Sequence, residues 1–309
     1  MKPSLPDKLS APKTQEQYHK SVLVNEVLAY LNPQPGKLYL DATFGGGGHT
    51  KAILEKEPAC RVVALDWDKE AIKRNAPALQ EQFGDRLTVL WGNFIHLDRI
   101  LEKEGITSLD GALADFGTSQ FQIHEKEGFS FQTDTPLDMR MSPAHQYVTA
   151  ADLVNRLSEK ELADIFYKYG EETRSRALAR AIVAARQQKK ITTTGQLVHL
   201  VESVIPFFKR RGKMHPATRA FQALRIEVNH ELDNIERFLK ITLPLITPPG
   251  RVVCISFHSL EDRIVKYYFR ERRENLTILT PKPITATPEE LMQNPSSRSA
   301  KLRAAQKEK

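Results

Sequence analysis

The sequence predicts an α/β fold: a parallel sheet with helices on both faces, interrupted by an all-helical insertion. Three observations predict it. Apolar runs of strand length alternate with helical stretches between residues 37 and 117. A glycine run, Gly45 to Gly48, follows the first strand. Between about residues 150 and 212 the strand signals stop and only helical periodicity remains. Apolar strands alternating with helices argue for parallel pairing, because the crossover helices cover both faces of such a sheet.

Residues 1–17 are polar and Pro-containing, and are expected to be disordered. "SVLVNEVLAYL" (21–31) places Val24, Val27, Leu28 and Leu31 on one helical face. "KLYLDAT" (37–43) reads as the first strand after a Pro-Gly turn, and "HTKAILEKE" as the helix beyond the glycines. "RVVALDWD" (61–68), "LTVLWGNF" (87–94) and "LDGALADFG" (109–117) read as three more strands, with "KEAIKRNAPALQEQF" a helix between the first two of them. Residues 121–143 are irregular. Then Ser158 and Glu161 form a capping box before the stripe Leu162, Ile165, Phe166 and Tyr169, and Gly170 ends that helix. Two further helices are "RSRALARAIVAARQQKK" and "GQLVHLVESVIP". One long helix is expected from Pro216 to about Ile246, a fifth strand over 250–257, and a helix in "SLEDRIVKYYFRERR". Residues 274–309 are expected mostly as loop. The division that follows is a tail over 1–17, an α/β domain over 18–135 and 214–309, and a helical insertion over 136–213.

Apolar residues make up 40% of the chain, enough for a sizeable core, and the formal net charge of +7 favours a polyanionic partner such as nucleic acid. Cys60 and Cys254 lie in or beside apolar runs and read as buried free thiols, which fits a reducing, cytoplasmic setting. The N-terminus has no apolar signal-peptide core, and no stretch approaches the roughly 18 apolar residues of a membrane span.

A glycine-rich turn between a strand and a helix presents backbone N–H groups to a nucleotide-like ligand. Gly45, Gly47 and Gly48 fit G-x-G-G, but Thr50 stands where a dinucleotide motif has its third glycine. Asp41 ends the first strand. Its carboxylate would repel a pyrophosphate and attract an ammonium group, which points away from NAD and towards S-adenosylmethionine (SAM). Asp66 ends the second strand, where an acid either accepts hydrogen bonds from ribose hydroxyls or caps the next helix. Phe94 follows the third strand, as a wall for adenine or as a core aromatic. Asp115 closes the fourth strand at the carboxyl edge, where open α/β sheets bind ligands. "DFG" there is not a kinase magnesium motif, since no V-A-I-K strand or H-R-D loop accompanies it.

Several blocks together carry a resemblance: "YHKSVLVNEVL", "YLDATFGGGGHT", "DFGTSQFQ", "GFSF" with "PLDMRM", "YGEE", "HPATRAFQALRIEVNHEL", "ISFHSLEDRIVK" and "NPSSRSAKLR". The chain resembles the bacterial-type 16S ribosomal RNA (cytosine-N4)-methyltransferase family (MraW/RsmH) over nearly its whole length beyond residue 17. The resemblance implies a Rossmann-like sheet with a helical insert, SAM as methyl donor, and a cytidine of the small-subunit decoding region as target. Carried over position by position, it implies SAM contacts at Gly47, Gly48, His49, Asp66, Phe94, Asp115 and Gln122. The segment "DFGTSQFQIH" departs from the family pattern at Gln120 and His124, next to the target-base pocket.

The exocyclic amine of cytosine is a weak nucleophile because its lone pair is delocalised into the ring. A site must align it with the methyl carbon, accept its hydrogen bonds and take its proton. Asp115 is the candidate for that work, with SAM binding alone as the other reading. Gln222, Arg225 and Asn229 share a face of the long helix, as a substrate-binding stripe or a solvated one. His258 sits on the rim after the fifth strand, with Ser259 expected to cap the next helix and Asp262 to close its box. No metal site is expected, because His258 and Glu261 lack a second His or a Cys cluster. The basic runs 209–213, 270–273 and 298–309 read as phosphate contacts together, though each alone as a solvated face, and Phe129 and Phe131 as stacking surfaces for an unpaired base or as part of a packed loop. The expected partner is ribosomal RNA, within the small subunit; whether the chain is a monomer or a homodimer stays open. A nicotinamide-dependent oxidoreductase is disfavoured by Asp41 and the missing glycine. A non-catalytic RNA-binding or ribosome-assembly protein on a SAM-binding fold is the alternative.

Overall fold

The structure is a computed structural model and describes residues 20–117, 127–205 and 215–308. Its centre is a seven-stranded sheet of order β3-β2-β1-β4-β5-β7-β6. The strands are β1 (Leu38–Asp41), β2 (Arg61–Asp66), β3 (Leu87–Trp91), β4 (Leu109–Asp115), β5 (Ile246–Ser256), β6 (Leu276–Ile278) and β7 (Lys301–Lys307). The first five run parallel; β7 is antiparallel to both β5 and β6. The predicted parallel α/β sheet is therefore present.

Chain order reverses between β1 and β4. Loops leaving these two strands diverge, and the crevice between them is where an open α/β sheet holds a ligand. Helices α1 (Val24–Leu31), α2 (Gly48–Lys56), α3 (Lys69–Phe83) and α4 (Leu97–Lys103) connect and cover the strands. Near-continuous apolar strands are needed because both faces are buried: Leu40, Val63, Ala112 and Val252 face one apolar cluster, and Val62, Ala64, Leu113 and Val253 the other.

Two expectations fail here. Residues 274–309 are not mostly loop: β6 and β7 extend the sheet, and Leu302, Ala304 and Ala305 are buried. "KLRAAQK" is short and half polar, so it lacks a clean strand signature. It forms because the edge of β5 offers a row of unpaired backbone groups. Its Arg303 is buried in a two-bond pair with Asp262 (2.6 and 3.1 Å) rather than offered to phosphate.

The long helix also breaks in two, α9 (Pro216–Asn229) and α10 (Glu231–Leu245), at His230 with φ 50°. Apolar spacing runs on across the break, so sequence periodicity does not show it. The reason lies in what each half packs against. Ala220, Phe221, Leu224 and Val228 join the helical insertion; Ile235, Phe238 and Leu239 pack on the sheet.

The insertion comprises α5 (Ala150–Arg156), α6 (Glu159–Gly170), α7 (Ser175–Gln188) and α8 (Thr194–Val204). Capping boxes at Thr149/Asp152, Ser158/Glu161 and Thr193/Gln196 start three of them. Its core is built from Leu162, Phe166, Leu178, Ile182 and Leu197, and extends past residue 213 to include α9. Gly170 is the last residue of α6, but the left-handed cap is Glu171. A Cβ on Gly170 would come within 2.7 Å of the Arg219 carbonyl of α9, so close helix packing explains that glycine. Among the described residues no helix is long and apolar enough to cross a membrane.

Candidate active site

The glycine loop is built from the end of β1. Asp41 is fully buried; it accepts hydrogen bonds from the Thr43 N–H (3.1 Å) and the Thr50 hydroxyl (2.7 Å). Burial pushes its carboxyl above the ordinary carboxylate range. It therefore ties the loop to α2 from beneath, and its side chain is closed off from the cleft, against the expectation of a direct contact with a cationic ligand. Gly45 (φ 51°) lines the cleft. Gly47 (φ 75°) caps α2, and a Cβ there would strike Leu79 and come within 3.1 Å of the Phe44 ring. A Cβ on Gly48 would strike the Ser21 hydroxyl. Protein packing thus crowds both positions, and the left-handed backbone of Gly47 favours glycine there in any case.

The cleft at the switch point brings together Gly45, Asp66, Phe94 and Asp115 with Trp67, Phe257 and Ser296. Asp66 accepts from the Gly45 N–H (2.6 Å) with one oxygen and from the Asp68 N–H (2.8 Å) with the other. Burial raises its pKa to about 6. Each carboxylate oxygen has two lone pairs, so one acceptor position per oxygen is left for a diol. Asp68, not Asp66, caps α3. Phe94 lies edge-on to Phe116 and Phe238, with centroids 6.3 and 5.6 Å away, and one side of it reaches the cleft. The Asp115 N–H donates to Thr43 Oγ1 (2.8 Å), which fixes the end of β4 against the glycine loop.

His49, on the first turn of α2, is 5% exposed. Its Nε2 lies 3.6 Å from Asp115 Oδ2, and neither ring nitrogen has a hydrogen-bond partner among the described residues. A ligand with acid, ammonium and ribose groups fits this set: Asp66 for hydroxyls, Phe94 for a flat ring, Asp115 and His49 for the charged end. Gln122, together with Gln120 and His124, lies outside the described residues.

A second cavity adjoins the first, sharing Gly117, Phe257 and Ser296. Aromatic walls come from Phe129, Phe131 and Phe221; its polar groups include Gln222, Arg225 and His258. Gln222 donates to the Tyr169 carbonyl (2.9 Å). Arg225 makes two parallel bonds to Glu231 (2.8 and 2.9 Å). Asn229 does not share their exposure, which corrects its place in a substrate stripe. It is 1% exposed, accepts from Met141 N–H and Gln146 Nε2, and donates to the Met139 and Arg225 carbonyls. Its bonds to Met139 and Met141 clamp the "PLDMRM" segment to α9, the bond to Gln146 ties in the loop just beyond, and the bond to Arg225 stays within the helix.

His258, not Ser259, caps α11 (Ser259–Glu271): its Nδ1 accepts from the Glu261 N–H, and Glu261 rather than Asp262 closes the box. His258 Nε2 and Glu261 Oε1 face each other at 3.2 Å. Burial alone would raise Glu261, but His258 and Arg225 hold its carboxyl below the ordinary value. Glu231, His258 and Glu261 bring three potential ligand atoms within 4.8 Å, a cluster the sequence did not reveal. Arg225 already supplies its positive charge. Sequence reasoning also missed Phe257 and Ser296. Phe257 follows β5 at the carboxyl edge, a position that could have marked it; Ser296 arrives from far along the chain with no local signal. Of the basic runs, 209–213 lies outside the described residues.

The model of the MraW methylase family matches residues 16–308 of this chain. A ribosomal RNA small subunit methyltransferase H of Pelobacter propionicus is 46% identical, over 94% of this chain and 98% of its own. That of Desulfotalea psychrophila is 47% identical, over 94% and 99%. Among solved structures, an rRNA methylase from Streptococcus thermophilus aligns over 93% of this chain and 94% of its own, with TM-score 0.41 and 10% identity. With a family model spanning nearly all of the chain and full-length relatives at this identity, the protein belongs to the MraW methylase family.

Proposed function

We propose that this protein transfers a methyl group from SAM to the exocyclic N4 amine of a cytidine in small-subunit ribosomal RNA. The relatives' names support the RNA class; the resemblance at "PLDMRM" and "ATRAFQALRIEVN" supports the atom and the decoding region. The observation that carries the reading is the junction of two cavities at Gly117 and Phe257, just beyond Asp115. One cavity suits a nucleoside with a charged tail; the other suits a flat base.

SAM, when bound, supplies an electrophilic methyl carbon on a sulfonium. This chain's residues do the rest. Asp66 orients the ribose and Phe94 packs on the adenine, with Gly47, Gly48 and His49 shaping the loop beside them. Phe257 and Phe129 hold the target base flat, and Gln222, Arg225 and His258 face its polar edge or its phosphate. Asp115 accepts a hydrogen bond from the amine, which favours a pyramidal nitrogen, and receives the proton released on transfer. Alignment across the junction supplies much of the barrier reduction.

The test is methyl transfer from labelled SAM to small-subunit particles lacking the modification, followed by nucleoside digestion. N4-methylcytidine carrying the label is expected. SAM binding without any labelled nucleoside would instead favour a non-catalytic RNA-binding role.

A further inference from the structure

Trp91, the last residue of β3, pairs in register with Asp66 at the carboxyl edge of the sheet. It is 47% exposed, at the end of a strand that forms one edge of the sheet. Its orientation is fixed: the indole N–H donates to the Trp67 carbonyl (3.1 Å). Two exposed cationic or cationisable groups meet it. Lys69 Nζ lies 5.2 Å from the ring centroid, and the His145 ring lies 5.2 Å away at 46°. Lys69 makes no ion pair among the described residues.

His145 comes from the loop that leads into the helical insertion, and that loop is rigidly held. The Ser142 hydroxyl bonds His145 Nδ1 (2.9 Å) and reaches the Trp67 carbonyl (3.3 Å). Buried Gln146 accepts from the Ser142 N–H (2.9 Å) and donates to Asn229 (2.7 Å). A packed anchor thus presents an aromatic-plus-cation surface beside the cofactor cleft, outside both cavities.

We infer that Trp91, with Lys69 and His145, is a stacking site for an unpaired RNA base flanking the target nucleotide. An indole face takes any base, a fixed ring loses little entropy on binding, and the mobile lysine can leave the ring for the adjoining phosphate. The chain's net charge of +7 favours a polyanionic partner in general. A protein partner would not need the lone lysine over the ring. The inference rests on the RNA reading above.

Two readouts separate them. In methyl transfer to small-subunit particles, Trp91→Ala should raise KM for the particles about tenfold, leave SAM affinity unchanged, and be rescued by Trp91→Phe. Unstructured oligouridylate should quench the tryptophan fluorescence of the wild type, and quench Trp91→Ala, which keeps Trp67, far less. Unchanged KM, an effect confined to SAM affinity, or no rescue by Phe overturns the stacking site while leaving the methyltransferase reading intact. Raised KM with no quenching by free RNA assigns the surface to a ribosomal protein and also overturns it. Absence of transfer by the wild type sinks the enzymatic reading alone, since quenching still reports on Trp91.

Discussion

At Asp66, burial and hydrogen bonding pull in opposite directions, and burial wins: the carboxyl titrates at about 6 instead of 3.8. Between those two values the folded chain holds more protons at this site than the unfolded chain does. Its contribution to stability is therefore greatest at low pH and is lost as pH rises through about 6. Ribose hydroxyls donate to the ionised form, so cofactor binding should pull the value back down and expel a proton. SAM affinity is expected to fall as pH drops below about 6, approaching tenfold per pH unit. Titration calorimetry from pH 5 to 7.5 checks this, with Asp66→Asn as the control that binds weakly and without that slope. A flat wild-type profile would contradict the assigned role. The place of Asp66 in the cleft was legible because the strands of such a sheet end at its carboxyl edge. Asn229 was not: its helical position fits a substrate stripe equally well, and only the loop packed over it shows that its amide is fully occupied.

At the scale of elements, the glycine loop shows that protein packing constrains a motif beside any part it has in ligand binding. Gly48 has ordinary helical backbone, so alanine there costs nothing in conformation; the obstacle is Ser21, on the segment before α1. Gly48→Ala should destabilise by about 1–3 kcal/mol through overpacking. Adding Ser21→Gly should recover most of that loss, read as the urea midpoint in a double-mutant cycle. No coupling between the two sites would show that the glycine serves the ligand instead. Strands β1 to β4 were legible because burial on both faces leaves long apolar runs. β7 was not, since "KLRAAQK" owes its state to the open edge of β5. The break at His230 was hidden because two cores, one on each side of the break, impose the same helical period.

For the whole molecule, topology decides where chemistry can occur. Reversal of strand order between β1 and β4 opens the first cavity, and α9 helps to wall a second against it. The change of periodicity marked the stretch that folds as helices α5 to α8. It did not show that α9 belongs to the insertion's core, nor that Phe257 and Ser296 wall the junction, because those contacts join distant segments. We propose that Asp115 acts on the amine at that junction, beyond any part in holding SAM. Single-turnover methyl transfer by Asp115→Asn at saturating SAM tests it most directly, with SAM affinity measured in parallel. A rate at least about 100-fold below wild type is predicted, with SAM affinity changed by less than about tenfold. A near-normal rate once SAM is saturating would contradict it and leave Asp115 as a cofactor contact only.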